Sequence, residues 1–97
     1  MDSVLLKPNT YLVVSLKVSR PRARISFEAG ADRAIQVYLL DQAGLDEFES
    51  GQTFIGTLAG HGRTSRTRGS RVLSRGTYYL LLSNPHRVSV AAYYELW

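Results

Sequence analysis

Five arginines crowd one stretch of this chain, Arg63, Arg66, Arg68, Arg71 and Arg75, interleaved with the hydroxyls of Thr64, Ser65, Thr67 and Ser70 and preceded by His61. Guanidinium forks bind phosphate and carboxylate bidentately, hydroxyls add donors, and the glycines at 60, 62 and 69 let a backbone approach closely. The chemistry such a set can do is capture of an anion, either a nucleic-acid phosphate or an acidic surface on a partner protein. Net charge is only +4, and no DNA- or RNA-binding signature occurs. The ten arginines against two lysines are also what a GC-rich genome produces. A solvated or protein-contacting arginine loop is therefore the favoured reading, with nucleic-acid binding as its rival.

Other chemistry is harder to build. Asp41, Asp46, Glu47 and Glu49 offer carboxylate oxygens that suit Ca²⁺, but their spacing is not that of an EF-hand loop, and acidic residues around one helical turn also suit its dipole. They can equally be the surface on which a second molecule's arginines dock. His61 and His86 stand in turn sequences with no nucleophile or carboxylate beside them in a catalytic pattern, and there is no cysteine for a thiolate, a disulfide or a thiolate metal site. The expectation is no enzyme activity and no cofactor.

These residues need elements to hold them. Gly76-Thr77-Tyr78-Tyr79-Leu80-Leu81-Leu82-Ser83-Asn84-Pro85 is a nearly unbroken apolar run punctuated at both ends, as expected of a strand in mid-sheet. Before it, strands are predicted at Ser3–Leu6, Tyr11–Val18, Arg24–Ala29 and Ala34–Leu40, each separated by a turn sequence with Pro, Gly or Asn. Leu45 to Gly51 fits one helical turn, Thr53 to Leu58 another strand, Gly60 to Gly69 a flexible loop, and Ser70 to Leu73 a short strand. Val88 to Leu96 is predicted to close the sheet. On these phases Tyr79, Leu81, Tyr93 and Trp97 point outward, opposite Leu80, Leu82, Val90 and Tyr94, and form an aromatic surface suited to a protein interface.

The whole is one domain, residues 1–97, all-β, with about eight antiparallel strands in a two-sheet, jelly-roll-like sandwich. With 44% hydrophobic and 21% charged residues the composition is that of a globular domain, and no segment reaches the roughly 18 apolar residues of a membrane-spanning helix. The N-terminal residues lack a signal-peptide pattern, so the expected location is cytoplasmic.

Val37-Tyr38-Leu39-Leu40-Asp41, a Gly-containing bend, Phe48-Glu49-Ser50-Gly51, and then Gly76-Thr77-Tyr78-Tyr79-Leu80 with Ser83-Asn84 resemble the jelly-roll sandwiches of the bacterial pre-peptidase C-terminal domain type. The resemblance covers about half the chain and rests on strand and turn signatures. It implies an accessory, binding or positioning module beside other proteins or domains. Some members of that group bind calcium or extracellular polymers; no full ligand set matching theirs occurs in this sequence. The expected function is a non-enzymatic protein-interaction or assembly module, with a homo-oligomer as one form, that works through Tyr79, Leu81, Tyr93 and Trp97, with Arg63, Arg66, Arg68, Arg71 and Arg75 as anion or partner contacts.

Overall fold

Alternation of apolar and polar side chains builds four strands and one helix. A computed structural model describes residues 2–51 and 57–97, with side chains at 2–51 and 63–97. The elements are β1 (Asp2–Leu6), β2 (Tyr11–Leu40), α1 (Gln42–Glu49), β3 (Thr57–Ser83) and β4 (Val90–Leu96). All pairings are antiparallel, in the order β1-β4-β2-β3.

The strands are fewer and longer than their punctuation predicts. The turn sequences Ser19-Arg20-Pro21-Arg22 and Gly30-Ala31-Asp32 do not reverse the chain; β2 runs through both, and its register against β3 shifts between Val18 and Arg22 and again between Gly30 and Ile35. Proline and glycine here loosen the ladder locally, which bends a strand without ending it. Gly60 to Gly69, expected as a loop, lies wholly within β3. Residues 52–56, most of the strand expected at Thr53–Leu58, lie outside the described residues.

The run expected in mid-sheet is there. Residues 79–83 pair with Tyr11 to Ser15 on one side and with Gln36 to Leu40 on the other. Leu80, Leu81 and Leu82 are fully buried as a result. Further along, Arg22 to Gly30 of β2 pairs with Ser74 to Arg66 of β3 on one side, and Phe27 to Ala31 pairs with Leu96 to Ala92 of β4 on the other. The main core gathers Leu6, Val18, Phe27, Val37, Leu39, Leu80, Leu82 and Val90 from all four strands.

α1 begins earlier than the Leu45 expected, because Asp41 caps it: its carboxylate accepts from the Gly44 N–H at 2.8 Å. The helix stops at Ser50, and Gly51 takes the left-handed φ of +76° that follows. Its Leu45 closes a second small core with Leu40 and Leu81, against which Tyr38, Phe48 and Tyr79 pack. β4 starts at Val90, two residues later than expected, since Val88 is exposed and spends its carbonyl elsewhere. That carbonyl accepts from the side chain of Asn84. The buried Asn84 amide faces the carbonyls of Leu6 (3.0 Å), Lys7 (3.1 Å) and Val88 (2.9 Å), while its Oδ1 accepts from the His86 N–H at 2.9 Å. One side chain thus joins the end of β1 to the turn before β4.

Candidate interaction face

Phe27 is buried, so its strand neighbours Ser26 and Glu28 turn to the other side of the sheet. Residues directly opposite on neighbouring strands share a face. Across from Ser26, Glu28 and Gly30 on β3 stand Ser70, Arg68 and Arg66. Across from Glu28 and Gly30 on β4 stand Glu95 and Tyr93, and Ser26 exchanges both backbone hydrogen bonds with Trp97, at 2.9 and 3.0 Å. Arg66, Arg68, Tyr93 and Trp97 therefore occupy one surface. Two features that the sequence presents as separate, an arginine stretch and an aromatic face, coincide there in part.

Glu28 is the pivot of this surface. Arg68 Nε lies 3.2 Å from one of its carboxylate oxygens and Arg66 Nη2 3.6 Å from the other; the Glu28 side chain is 12% exposed, against 67% for each arginine. A carboxylate so withdrawn from water needs its cations, whereas the cations keep most of their surface free for a partner. Two glycines make room for rings on the two sides of this sheet. A Cβ at Gly30 would meet the Tyr93 hydroxyl at 2.6 Å, and one at Gly69 would meet the Phe27 ring at 2.6 Å. Trp97, 56% exposed, borders a shallow cleft of about 270 Å³ with Ser26, Arg68, Gly69 and Ser70. A second open groove of about 520 Å³ runs past Tyr93 between Leu5, Ala31, Asp32 and Ala91.

The other arginines separate from this pair. Arg71 stands opposite Ile25, on the alternate phase of β3, and its Nη1 donates to the Ser70 carbonyl at 3.3 Å. Arg75 Nε donates to the Ser19 carbonyl at 3.1 Å, and Arg63 is exposed near the register shift where Ile35 pairs Thr64. In exchange the fold supplies Arg24, whose Nη1 donates to the Ser70 hydroxyl at 3.2 Å. Its membership was foreshadowed by its alternation with Ser26 and Glu28 alone.

The expected exposure of Tyr79 and Leu81 is corrected. Their phase is opposite to Leu80 and Leu82, as expected, but α1 covers that side of the sheet: Leu81 is fully buried, and the half-buried Tyr79 donates its hydroxyl to Gln42 Oε1 at 2.6 Å. The acidic residues near the helix are engaged locally. Asp41 caps it, Asp46 accepts from Gln42 Nε2 at 2.9 Å, and Glu49 accepts from the Tyr11 hydroxyl at 3.0 Å. Among the described residues no group of three or more His, Cys, Asp or Glu is placed to hold a metal ion. His86 Nε2 lies 2.6 Å from the Ala34 carbonyl; the side chain of His61 lies outside the described residues.

With this geometry in hand, the chain compares with a known structure. A 1.0 Å crystal structure of the pre-peptidase C-terminal domain of collagenase from Bacillus anthracis matches 93% of this chain and 90% of that one, with a TM-score of 0.57 and 11% identity. The fold resembles a pre-peptidase C-terminal domain. At that identity the likeness to the collagenase domain is one of fold alone. No protein-family model matches the sequence, and no curated protein matches it. No helix among the described residues is long and apolar enough to cross a membrane.

Proposed function

We propose that this chain is a non-enzymatic protein-interaction module that engages its partner, or a second copy of itself, through the face bearing Arg66, Arg68, Tyr93 and Trp97. The observation that carries the reading is the exposed Trp97 bordering the same cleft as Arg68. Tryptophan, tyrosine and arginine are the side chains that contribute most when an interface closes, the aromatics by desolvation and the arginines by orientation. The likeness to a domain appended to a collagenase supports an accessory role. In this reading the bends of β2 and β3 fold the sheet into a two-layered, jelly-roll-like sandwich of eight strand segments, whose outer layer presents the face. Nucleic-acid capture is the weaker reading, since net charge is only +4 and no DNA- or RNA-binding signature occurs.

Light scattering behind gel filtration, at low and high salt, tests the self-associating form of the proposal. A defined oligomer that survives salt and is lost in Trp97→Ala or Tyr93→Ala, with the thermal transition unchanged, is the expected result. A wild-type monomer moves the search to a foreign partner. Association left intact in both variants would remove this face from consideration.

A further inference from the structure

We propose that the outer edge of β3 at residues 66–74 accepts an acidic, extended peptide segment of a partner protein as an added strand. The inference shares Arg66 and Arg68 with the face above but needs neither Trp97 nor Tyr93, so the two stand or fall separately.

Ser26 sets the direction of the backbone groups along this edge. Both its N–H and its C=O are bonded to Trp97 of β4, so neither points to β3. In an antiparallel ladder that makes Ser26 and Ser70 a non-hydrogen-bonded pair, and the N–H and C=O of Ser70 face away from β2. The two-residue period carries the same direction to Arg68 and Val72. β3 stands last in the strand order, so among the described residues this side of the 66–74 stretch has no neighbouring strand. At Arg66 and at the Ser70 carbonyl the chain closes the row itself. The Arg66 N–H donates to the Thr64 hydroxyl at 3.2 Å, and that hydroxyl donates to the Arg66 carbonyl at 2.7 Å. Arg71 covers the Ser70 carbonyl.

Charge selects the occupant. Arg66 and Arg68 follow the edge on one face and Arg71 on the other, so a second copy aligned edge to edge would crowd like charges along it, the usual defence of a free edge against self-pairing. A strand with acidic residues at alternate positions meets Arg66 and Arg68 on one face favourably, and it supplies partners to the outward N–H and C=O groups of Arg68 and Val72 and to the Ser70 N–H. The exposed Val72, four residues past Arg68 on the same face, adds an apolar contact at the end of the row. A nucleic-acid backbone would satisfy the arginines but not the strand-spaced amides.

The test uses a fluorescein-labelled peptide of alternating glutamate and valine, about nine residues long to match the edge, read by fluorescence polarisation. The unmodified protein is expected to bind it, more weakly as salt rises, and to ignore the lysine-for-glutamate counterpart. Val72→Pro removes an N–H that faces solvent and no bond to β2, so it is expected to keep the circular dichroism of the parent and to lose at least about tenfold in affinity. N-methylation of alternate peptide residues, which leaves the protein untouched, is expected to do the same and keeps the test valid if Val72→Pro does not fold. Trp97→Ala is expected to leave peptide binding within about twofold. The proposal is overturned if the peptide does not bind, if the lysine or N-methylated peptide binds as well, or if a folded Val72→Pro binds unchanged. Single-stranded DNA that binds and displaces the peptide, indifferent to Val72→Pro, would likewise overturn it in favour of a phosphate-binding surface.

Discussion

At the scale of single residues, Asn84 has more to hold than any other polar side chain described. Its amide serves three carbonyls from two separate parts of the chain, and it is 1% exposed. Alanine there would strand those carbonyls and the His86 N–H in a dry site, so Asn84→Ala is expected to cost about 2–4 kcal/mol in urea unfolding. An unchanged midpoint would show that water replaces the amide. The glycines at 30, on the outer face, and 69, on the core side opposite Phe27, make a graded pair. At Gly69 a methyl group meets the ring of Phe27, itself locked in the core, whereas at Gly30 it meets the far end of the half-buried Tyr93, which can swing away. Gly69→Ala is thus expected to lose about 1–3 kcal/mol and Gly30→Ala clearly less, with equal losses contradicting the account. Neither role is readable from sequence: Asn84-Pro85 announces only the end of a strand, and a glycine in a strand does not declare which ring lies over it.

At the scale of elements, α1 rests on β2 through Tyr11, whose ring stands edge-on to Phe48 at 5.1 Å between centroids and whose hydroxyl donates to Glu49. That hydrogen bond, with desolvation and the carboxylate charge adding to it, raises the Tyr11 hydroxyl above its usual 10.0; burial raises Tyr38 beneath the same helix. Both groups favour the neutral form when folded. Their contribution is therefore complete below the unfolded value near 10 and is lost as pH rises through the higher folded values. Stability is expected to decline above about pH 10, with Tyr11→Phe showing a shallower decline in the same urea titration; coincident profiles would dissociate Tyr11 from the effect. Apart from Gly60 to Gly69, which was expected as a loop, the described strand segments and their phase were legible in the sequence, and so was the central position of residues 79–83, because burial on both faces leaves an unbroken apolar run. What was not legible was continuity. Ser19 to Arg22 and Gly30 to Asp32 have turn compositions, and composition alone cannot distinguish a bend within a strand from a reversal between two. Helix α1 hid the fate of Tyr79 and Leu81 for a related reason. Period two assigns a side, but only tertiary packing says what covers it.

At the scale of the whole molecule, the arginine stretch takes on a different meaning from the one its spacing suggests. Instead of a mobile loop it is part of a long strand, with alternate members divided between the outer face and the opposite phase. Double replacement of Arg66 and Arg68 by glutamine would leave Glu28 without its cations in a largely dry site. It is expected to destabilise the fold by about 1–3 kcal/mol, while Arg63→Gln, on an exposed side chain, stays within about 0.5 kcal/mol. Equal thermal shifts for the two would mean that the Glu28 cluster has no structural share.

The pairing of β1 with β4 joins Asp2 to Tyr94 and Leu6 to Val90, and the long ladder of β2 joins Tyr11 to Ser83. Contacts this distant along the chain must close large loops before any reward is collected, which places refolding in the slow, millisecond-to-second class. During synthesis the consequence is sharper. Residues 2–6 have no ladder, and residues 27–30 only one of their two, until residues 90–96 have left the ribosome, so the emerging chain must keep its apolar strands out of other partnerships until that closing strand has been made.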